Sequence, residues 1–580
     1  MPALPAFQRR AVMRASIEGM GPSMRTSIKT KLIALILGVM AGTAGAQSHT
    51  GHTGHTGHTG HMMMKAPGID PGKALDPQLG PLHHPVSTQN KQAQAFFDQG
   101  LKLAYGFNHE GAIAAFRHAA ELDPQLAMAY WGMAYAMGPN YNAPMSPEAH
   151  AQAWRTLQQA ITLKPHASAE EGEYIDALAK RYSDNAQADT APLSQAYADA
   201  MKALAGRHPN DADAAVLYAE SLMDLRPWRL WADGKPEQGT LEITRVIDAA
   251  LALEPMHVGA NHFCIHAWEM SDTPERALPC AKRLERMHLS AGHLAHMPAH
   301  IYIRTGDYLA AARSNEDAAR ADEALIASGV HSLYTVGYYG HNLHFLAISY
   351  GFAGRSAQAI AAAQKLAEVV KPQLKDVPYL DIFYATPAQI LVMFERWDEI
   401  LALEEPIFEA PISGEMFHFA RALAFAAKGQ MHEAGVERAK FLEMAQATGQ
   451  SADWGNNKAL DVLAVARPYL DGRIAMFGGD ATTAAARLKE AGAAEDKLAY
   501  DEPPNWYLAS YLYLGQALLK SGEAAGAEAA FRADLKHNIL SGRSLHGLRL
   551  ALAAQGRKAD ATAVGRQLSR AWRGADMTLK

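Results

Sequence analysis

Residues 93–124 read AQAFFDQGLKLAYGFNHEGAIAAFRHAAELDP. Within this stretch Gly100, Ala112, Phe116, Ala119 and Pro124 form a pattern of small, bulky and helix-stopping residues that returns along the chain. Ala134, Ala153, Leu157, Ala160 and Pro165 repeat it, with a short insertion around residues 138–142. Ile243, Ala250 and Pro255 mark a further copy, and Ala277 and Ala311 follow Ile243 at successive steps of 34 residues. After an insertion near residues 320–338 the register resumes at Gly354 and Ala359. It returns at Gly515, Ala527 and Phe531, where Ile539 replaces the closing proline. Ala-rich, helix-favouring stretches recur from about residue 90 to the end, and no strand-like alternation persists. The fold expected is all-α.

These residues resemble the tetratricopeptide repeat (TPR) family, whose 34-residue unit carries a small residue at position 8, Ala at 20 and 27, a bulky residue at 24 and Pro at 32. The resemblance covers most of residues 90–570. It implies a right-handed α-solenoid of TPR-like helical hairpins, continuous over residues 86–580, in a family mainly known as a scaffold for peptides and proteins. Two stretches look less generic. Asp501-Glu502-Pro503-Pro504-Asn505-Trp506-Tyr507, with residues 531–535 and 544–556, resembles the tail of exported bacterial repeat proteins and is read as end-capping. Ala129–Gly132 with Gly138-Pro139-Asn140 is read as a tight turn.

The N-terminus has the layout of an export signal. Arg25, Lys29 and Lys31 precede the apolar run Leu32–Met40, and Ala44-Gly45-Ala46 offers small residues for cleavage before Gln47. Residues 1–46 are therefore the signal region, with Met24 as an alternative start. The apolar run is short for a membrane span, so no membrane anchor is expected after cleavage, and the location expected is periplasmic or secreted. Residues 47–85 follow as a leader, with His49, His52, His55, His58 and His61 at three-residue steps and then Met62-Met63-Met64. It has no apolar face and is expected to be disordered; metal capture and a plain solvated spacer both fit its composition.

The whole chain has 580 residues and a net charge of −6. Cleavage after residue 46 leaves 48 basic against 59 acidic residues, a net charge of −11, which argues against nucleic acid as a partner. Cys264 and Cys280 are the only cysteines and allow one disulfide, with Cys264 on a core-facing helix position.

In the TPR fold, positions 2, 5, 9, 12 and 13 of the first helix of each hairpin face the concave groove. The 34-residue register puts Gly259, His262, His266 and Glu269 at positions 2, 5, 9 and 12 of one helix. In the next helix His293, His296 and His300 take positions 2, 5 and 9, with Arg304 at 13, and in the third His341, His344 and Ile348 take 2, 5 and 9. Seven of nine groove positions are histidine. With 19 histidines in the 496 residues from 85 onward, chance would supply on the order of a third of one. His262/His266 and His296/His300 are i, i+4 pairs, a spacing at which two imidazoles share one metal. Glu269 is a candidate general base, metal ligand or orienting group. Glu220 and Asp224 are placed on the same groove by Pro209. Tyr302, Tyr334, Tyr338, Tyr339 and Trp268 are read as walls of the site or packing. His257, His288 and His331 fall near repeat ends or in loops and are read as surface residues.

Three functions remain open from these residues. The first is a transition-metal site near residues 259–348, zinc or copper being favoured by an imidazole-rich donor set. The second is a peptide- or protein-binding groove whose histidines with Arg304 recognise anions. The third is a set of histidines serving structure alone. No Gly-Lys-Ser/Thr phosphate loop, no Gly-x-Ser-x-Gly, no His-Glu-x-x-His and no Cys-x-x-Cys occurs, and His109-Glu110 reads as a helix start.

Overall fold

The computed structural model describes residues 74–407, 410–449 and 452–579. The expected signal region, residues 1–46, and the His/Met run at 49–64 lie outside the described residues. From Lys91 onward, antiparallel helical hairpins follow one another. Lys91–Tyr105 pairs with His109–Leu122, Ala127–Ala136 with Pro147–Leu163, Tyr308–Ala327 with Leu333–Phe352, and Pro411–Ala427 with Met431–Ala447. No described helix is long and apolar enough to cross a membrane.

The repeat residues act through close packing. A Cβ on Gly100 would lie 2.6 Å from the Phe116 ring, so only a hydrogen there lets the two helices of the first hairpin approach. Gly515 stands in the same relation to Phe531 in the C-terminal hairpin. Ala112, Ala119, Ala277, Ala311 and Ala359 are fully buried. Side chains cap the helices where the sequence supplies them: Asn90 accepts from the amides of Gln92 and Ala93, and Asp307 from that of Ala310. Ser332 and Thr335 close a reciprocal capping box. Two short antiparallel ribbons interrupt the helices, Trp231–Ala232 with Lys235–Pro236 and Asp453–Trp454 with Asn457–Lys458. In the first, Asp233 and Gly234 both take positive φ, as a two-residue hairpin turn requires.

Three long-range contacts fold the array back on itself. The stretch 74–85 was expected to belong to a disordered leader, but it packs along the middle repeats. Leu79 and Leu82 are buried, the Ser290 amide donates to Gln78 O (3.0 Å), and His83 and His84 bond Asp98 and Asp213. Its apolar and histidine side chains make these contacts. The C-terminal hairpins return to residues 306–357: Tyr308 donates to Ile539 O (2.7 Å), and the Asp576 carboxylate accepts from the amides of Ser356 and Ala357. The segment 501–507 crosses between them. Trp506 packs on Phe419 and Tyr469, and Tyr507 donates to Gln389 Oε1 at 2.6 Å. It is an insertion into the middle of the molecule, which corrects its reading as an end cap.

Candidate metal centre

The helix Val258–Trp268 carries His262 and His266, and Glu269 is its C-cap. His293 and His296 lie on Gly292–His296, and His300 on Pro298–Arg304. The sequence reads these last two as one helix. The structure divides them at Met297, because Pro298 has no amide hydrogen to continue the ladder, although Met297 keeps helical dihedrals and the face is preserved. His341 and His344 lie on Leu333–Phe352.

The expected open groove is filled at this point. His262, His266, His293, His296 and His300 are all 0–2% exposed. Phe107, in the turn after the first helix, packs on His262, His266 and His293. Tyr141 and Trp228 stack on each other, and both rings reach His266. Tyr338 covers His293 with ring centres 4.5 Å apart, and Phe345 covers His296 and His300. The turn at 140–143 forms as expected, and its further effect is to deliver Tyr141.

Inside this wall the imidazoles fall into two groups. The ligand atoms of His262, His266 and His293 all lie within 4.8 Å of one another, and so do those of His296, His300 and His341. Three of the six rings are hydrogen-bonded through Nδ1, and a fourth is ion-paired there. His262 Nδ1 donates to Tyr105 O at 2.6 Å, across 157 positions of sequence. His266 Nδ1 donates to Glu269 Oε1 (2.9 Å). His296 Nδ1 donates to Asn315 Oδ1 (2.7 Å), and the Asn315 amide group is itself held by Ala311 O (2.8 Å). His300 Nδ1 is in ion-pair contact with Glu502 and lies 2.9 Å from Glu269 Oε2, without hydrogen-bond geometry to either. An imidazole tied at Nδ1 presents Nε2, and here the Nε2 atoms face each other: His262 to His293 at 3.1 Å, His296 to His300 at 2.7 Å and His296 to His341 at 3.1 Å. His266 Nε2 and His293 Nδ1, both buried, have no hydrogen-bond partner.

Burial, with neighbouring imidazoles, pushes His262, His293, His296 and His341 well below the ordinary histidine value. His300 goes the other way. Burial would lower it, but the Glu502 and Glu269 carboxylates outweigh burial and raise it to about 10. Glu269 is held down at about 2, burial being overcome by His266 and His300, while burial lifts Glu502 to about 7.

The other candidates lie elsewhere. His344 packs on Phe383 and Tyr507 outside both groups, and burial lowers it to about 3. Glu269 is fully buried with its two oxygens turned to two histidines, the geometry of an orienting group more than of a free base. Glu220 and Asp224 do not join the histidines; Tyr135 donates to Glu220, and Asp224 pairs with Arg181. His257, read as a surface residue, is buried and donates through Nε2 to Asp213 (3.0 Å), because the 74–85 stretch and Tyr105 enclose that carboxylate. Cys264 is buried as expected and bonds Cys280 in a disulfide. Tyr334 and Tyr338 wall the site, whereas Tyr302 and Tyr339 bond Glu285 and Glu323, and Trp268 packs on Trp231. Glu502, Tyr141 and the Tyr105 carbonyl escape sequence reasoning. The only hint is the departure of 501–507 and 138–142 from the repeat.

No protein-family model matches the chain, and no curated protein matches it. Among solved structures it is similar to a human IFIT1 dimer with PPP-AAAA (13% identity, TM-score 0.30, covering 81% of this chain and 88% of that one). It is also similar to yeast Tom70 (11%, TM-score 0.30, 84% and 93%) and to the TPR domain of P58(IPK) (12%, TM-score 0.21, 80% and 98%). Such likenesses are too distant to argue from. The repeat assignment rests on the chain's own helical hairpins and on the Gly100–Phe116 and Gly515–Phe531 contacts. The chain is a TPR-like helical solenoid.

Proposed function

We propose that the protein binds a transition-metal ion through its buried histidine cluster, for metal handling or metal-dependent chemistry. One observation carries this: His262, His266 and His296 are hydrogen-bonded at Nδ1 to a carbonyl, a carboxylate and an amide oxygen, His300 is ion-paired there with Glu502, and the Nε2 atoms of His262, His296 and His300 meet other histidine Nε2 atoms at 2.7–3.1 Å. Nitrogen lone pairs at that separation, out of water, need a hydrogen or a metal ion between them. A proton bridges one pair, yet His296 Nε2 faces two partners. An unpaired buried polar atom costs about 1–3 kcal/mol, so a cluster this large is expensive to bury for structure alone. Nδ1 bonding to carboxylate or carbonyl is also how proteins aim histidines at metals. An all-imidazole set suits zinc or copper, and a group of three leaves a coordination position for water or a substrate. The signal at residues 25–46 supports an exported protein, and the Cys264–Cys280 disulfide suits an oxidising compartment.

A peptide-binding scaffold is the second reading, favoured by the helical architecture. Any peptide would meet other surfaces, because these imidazoles are covered.

The test is metal content by mass spectrometry on a chain lacking residues 1–64, which removes the five leader histidines and keeps every described residue. Stoichiometric zinc or copper that disappears in His262→Ala/His296→Ala is the expected result. A folded chain that takes up neither ion rules the proposal out.

A further inference from the structure

We infer that the cluster is two metal sites side by side: His262, His266 and His293 hold one ion, and His296, His300 and His341 hold a second. The inference rests on the metal reading above and adds the number of ions and the division of the ligands.

The separation of the donors supports it. Nitrogens on one tetrahedral ion at about 2.0–2.1 Å stand roughly 3.4 Å apart; the ligand atoms of each group lie within 4.8 Å of one another, with the closest pairs at 2.7–3.1 Å, so an ion would spread those pairs slightly. The division lies in the ligand atoms, which fall within 4.8 Å of one another inside each group, and not in the ring centres, which are 5.8–6.1 Å apart between the groups and up to 6.2 Å apart within them. Each group also has its own orienting partners: the Tyr105 carbonyl and Glu269 Oε1 accept from the first, while Asn315 Oδ1 accepts from the second and Glu502 is ion-paired with it. Glu269 spans the two, with Oε1 on His266 and Oε2 beside His300. The charge is consistent as well. Six neutral imidazoles offset none of the charge of two divalent ions, and two fully buried carboxylates, Glu269 and Glu502, stand directly behind the ligands.

His293 and His341 are the residues to change, since neither has an Nδ1 bond in the structure and each belongs to a different group. The full-length chain, His293→Ala, His341→Ala and the double variant would be loaded with Zn2+ alone, freed of excess ion and counted. The leader contributes equally to all four and cancels. Each single variant is expected to lose one equivalent and the double variant two. If both single variants lose the same equivalent and the double loses no more, one ion is shared and the division is wrong, while the metal reading survives. If all four chains hold equal metal, that reading falls too. Anomalous diffraction at the zinc edge from the unaltered chain does not depend on how the variants fold. Two peaks, one in each group, are expected; a single peak among the six histidines overturns the inference.

Discussion

The first hairpin and the histidine-bearing repeats put different chemistry at the same helix positions. In the helix Lys91–Tyr105, positions 5 and 9 are Phe97 and Leu101; in Val258–Trp268 they are His262 and His266. All four side chains are buried, at 0–1% exposure. Repeat packing therefore sets which positions are enclosed, and residue type sets what enclosure does. Burying Phe97 or Leu101 stabilises by about 1.5–3 kcal/mol each. Burying an imidazole with an unmet nitrogen works against folding unless something meets it. The first hairpin is a source of stability, and on the metal reading proposed above the histidine region is where stability depends on a ligand.

The most disruptive way to separate the two is to break the first hairpin at its tightest contact. Phe116→Ala removes the ring that packs on Gly100 and Gly132 and should lower unfolding free energy by about 3–5 kcal/mol in denaturant titration. Metal content per folded chain should stay unchanged. A loss of metal in the folded fraction would show that the two regions are coupled.

Next in size is the Asp213 junction, which ties His84 of the N-terminal stretch and His257 to the first helix through Tyr105. His84 is raised to about 9, since Asp213 more than offsets the lowering by burial, and the Asp213 carboxyl is held well below its ordinary value, burial being overcome by His257 and His84. The histidine contribution is thus fully present below its unfolded value near 6.5 and lost as pH rises through about 9. The carboxylate contribution is present above its unfolded value near 4 and lost as pH falls. The two describe one interaction, worth on the order of 3 kcal/mol at most. Thermal melts of wild type should show this alkaline loss between pH 6.5 and 9, and Asp213→Asn should flatten it. An unchanged profile in the variant would remove the junction from the account.

Removing metal should act on the histidine region alone. With free ion at 100 times its dissociation constant, binding adds about 2.7 kcal/mol, so a chelator should lower the melting temperature of wild type. The His293→Ala/His341→Ala chain should show no such shift. The smallest expected effect is that of Glu502→Gln, which leaves all six imidazoles in place and weakens the hold on His300. Loss of such an orienting carboxylate costs about 10–100-fold in metal affinity, measurable by competition with a chelating dye. Wild-type affinity in that variant would return 501–507 to a purely structural role.

The repeat register and the shared face of His262, His266, His293, His296 and His300 were legible because both depend on spacings of three and four residues along one helix. Glu502, Tyr141 and the Tyr105 carbonyl were not, since each arrives from an irregular segment or a distant helix end where no periodicity points the way. The same limit explains His257, which looked like a repeat-end surface residue until the 74–85 stretch closed over Asp213.

By itself, then, the sequence determined an all-α chain of hairpins and seven histidines on one run of helix faces, because helix periodicity is a local property of neighbouring residues. Only the tertiary structure decided that this face is sealed, that His344 stands apart from the others, and that the remaining six divide into two groups of three. Those outcomes depend on which distant segments return to fill the groove, and that is set by the packing of the whole array.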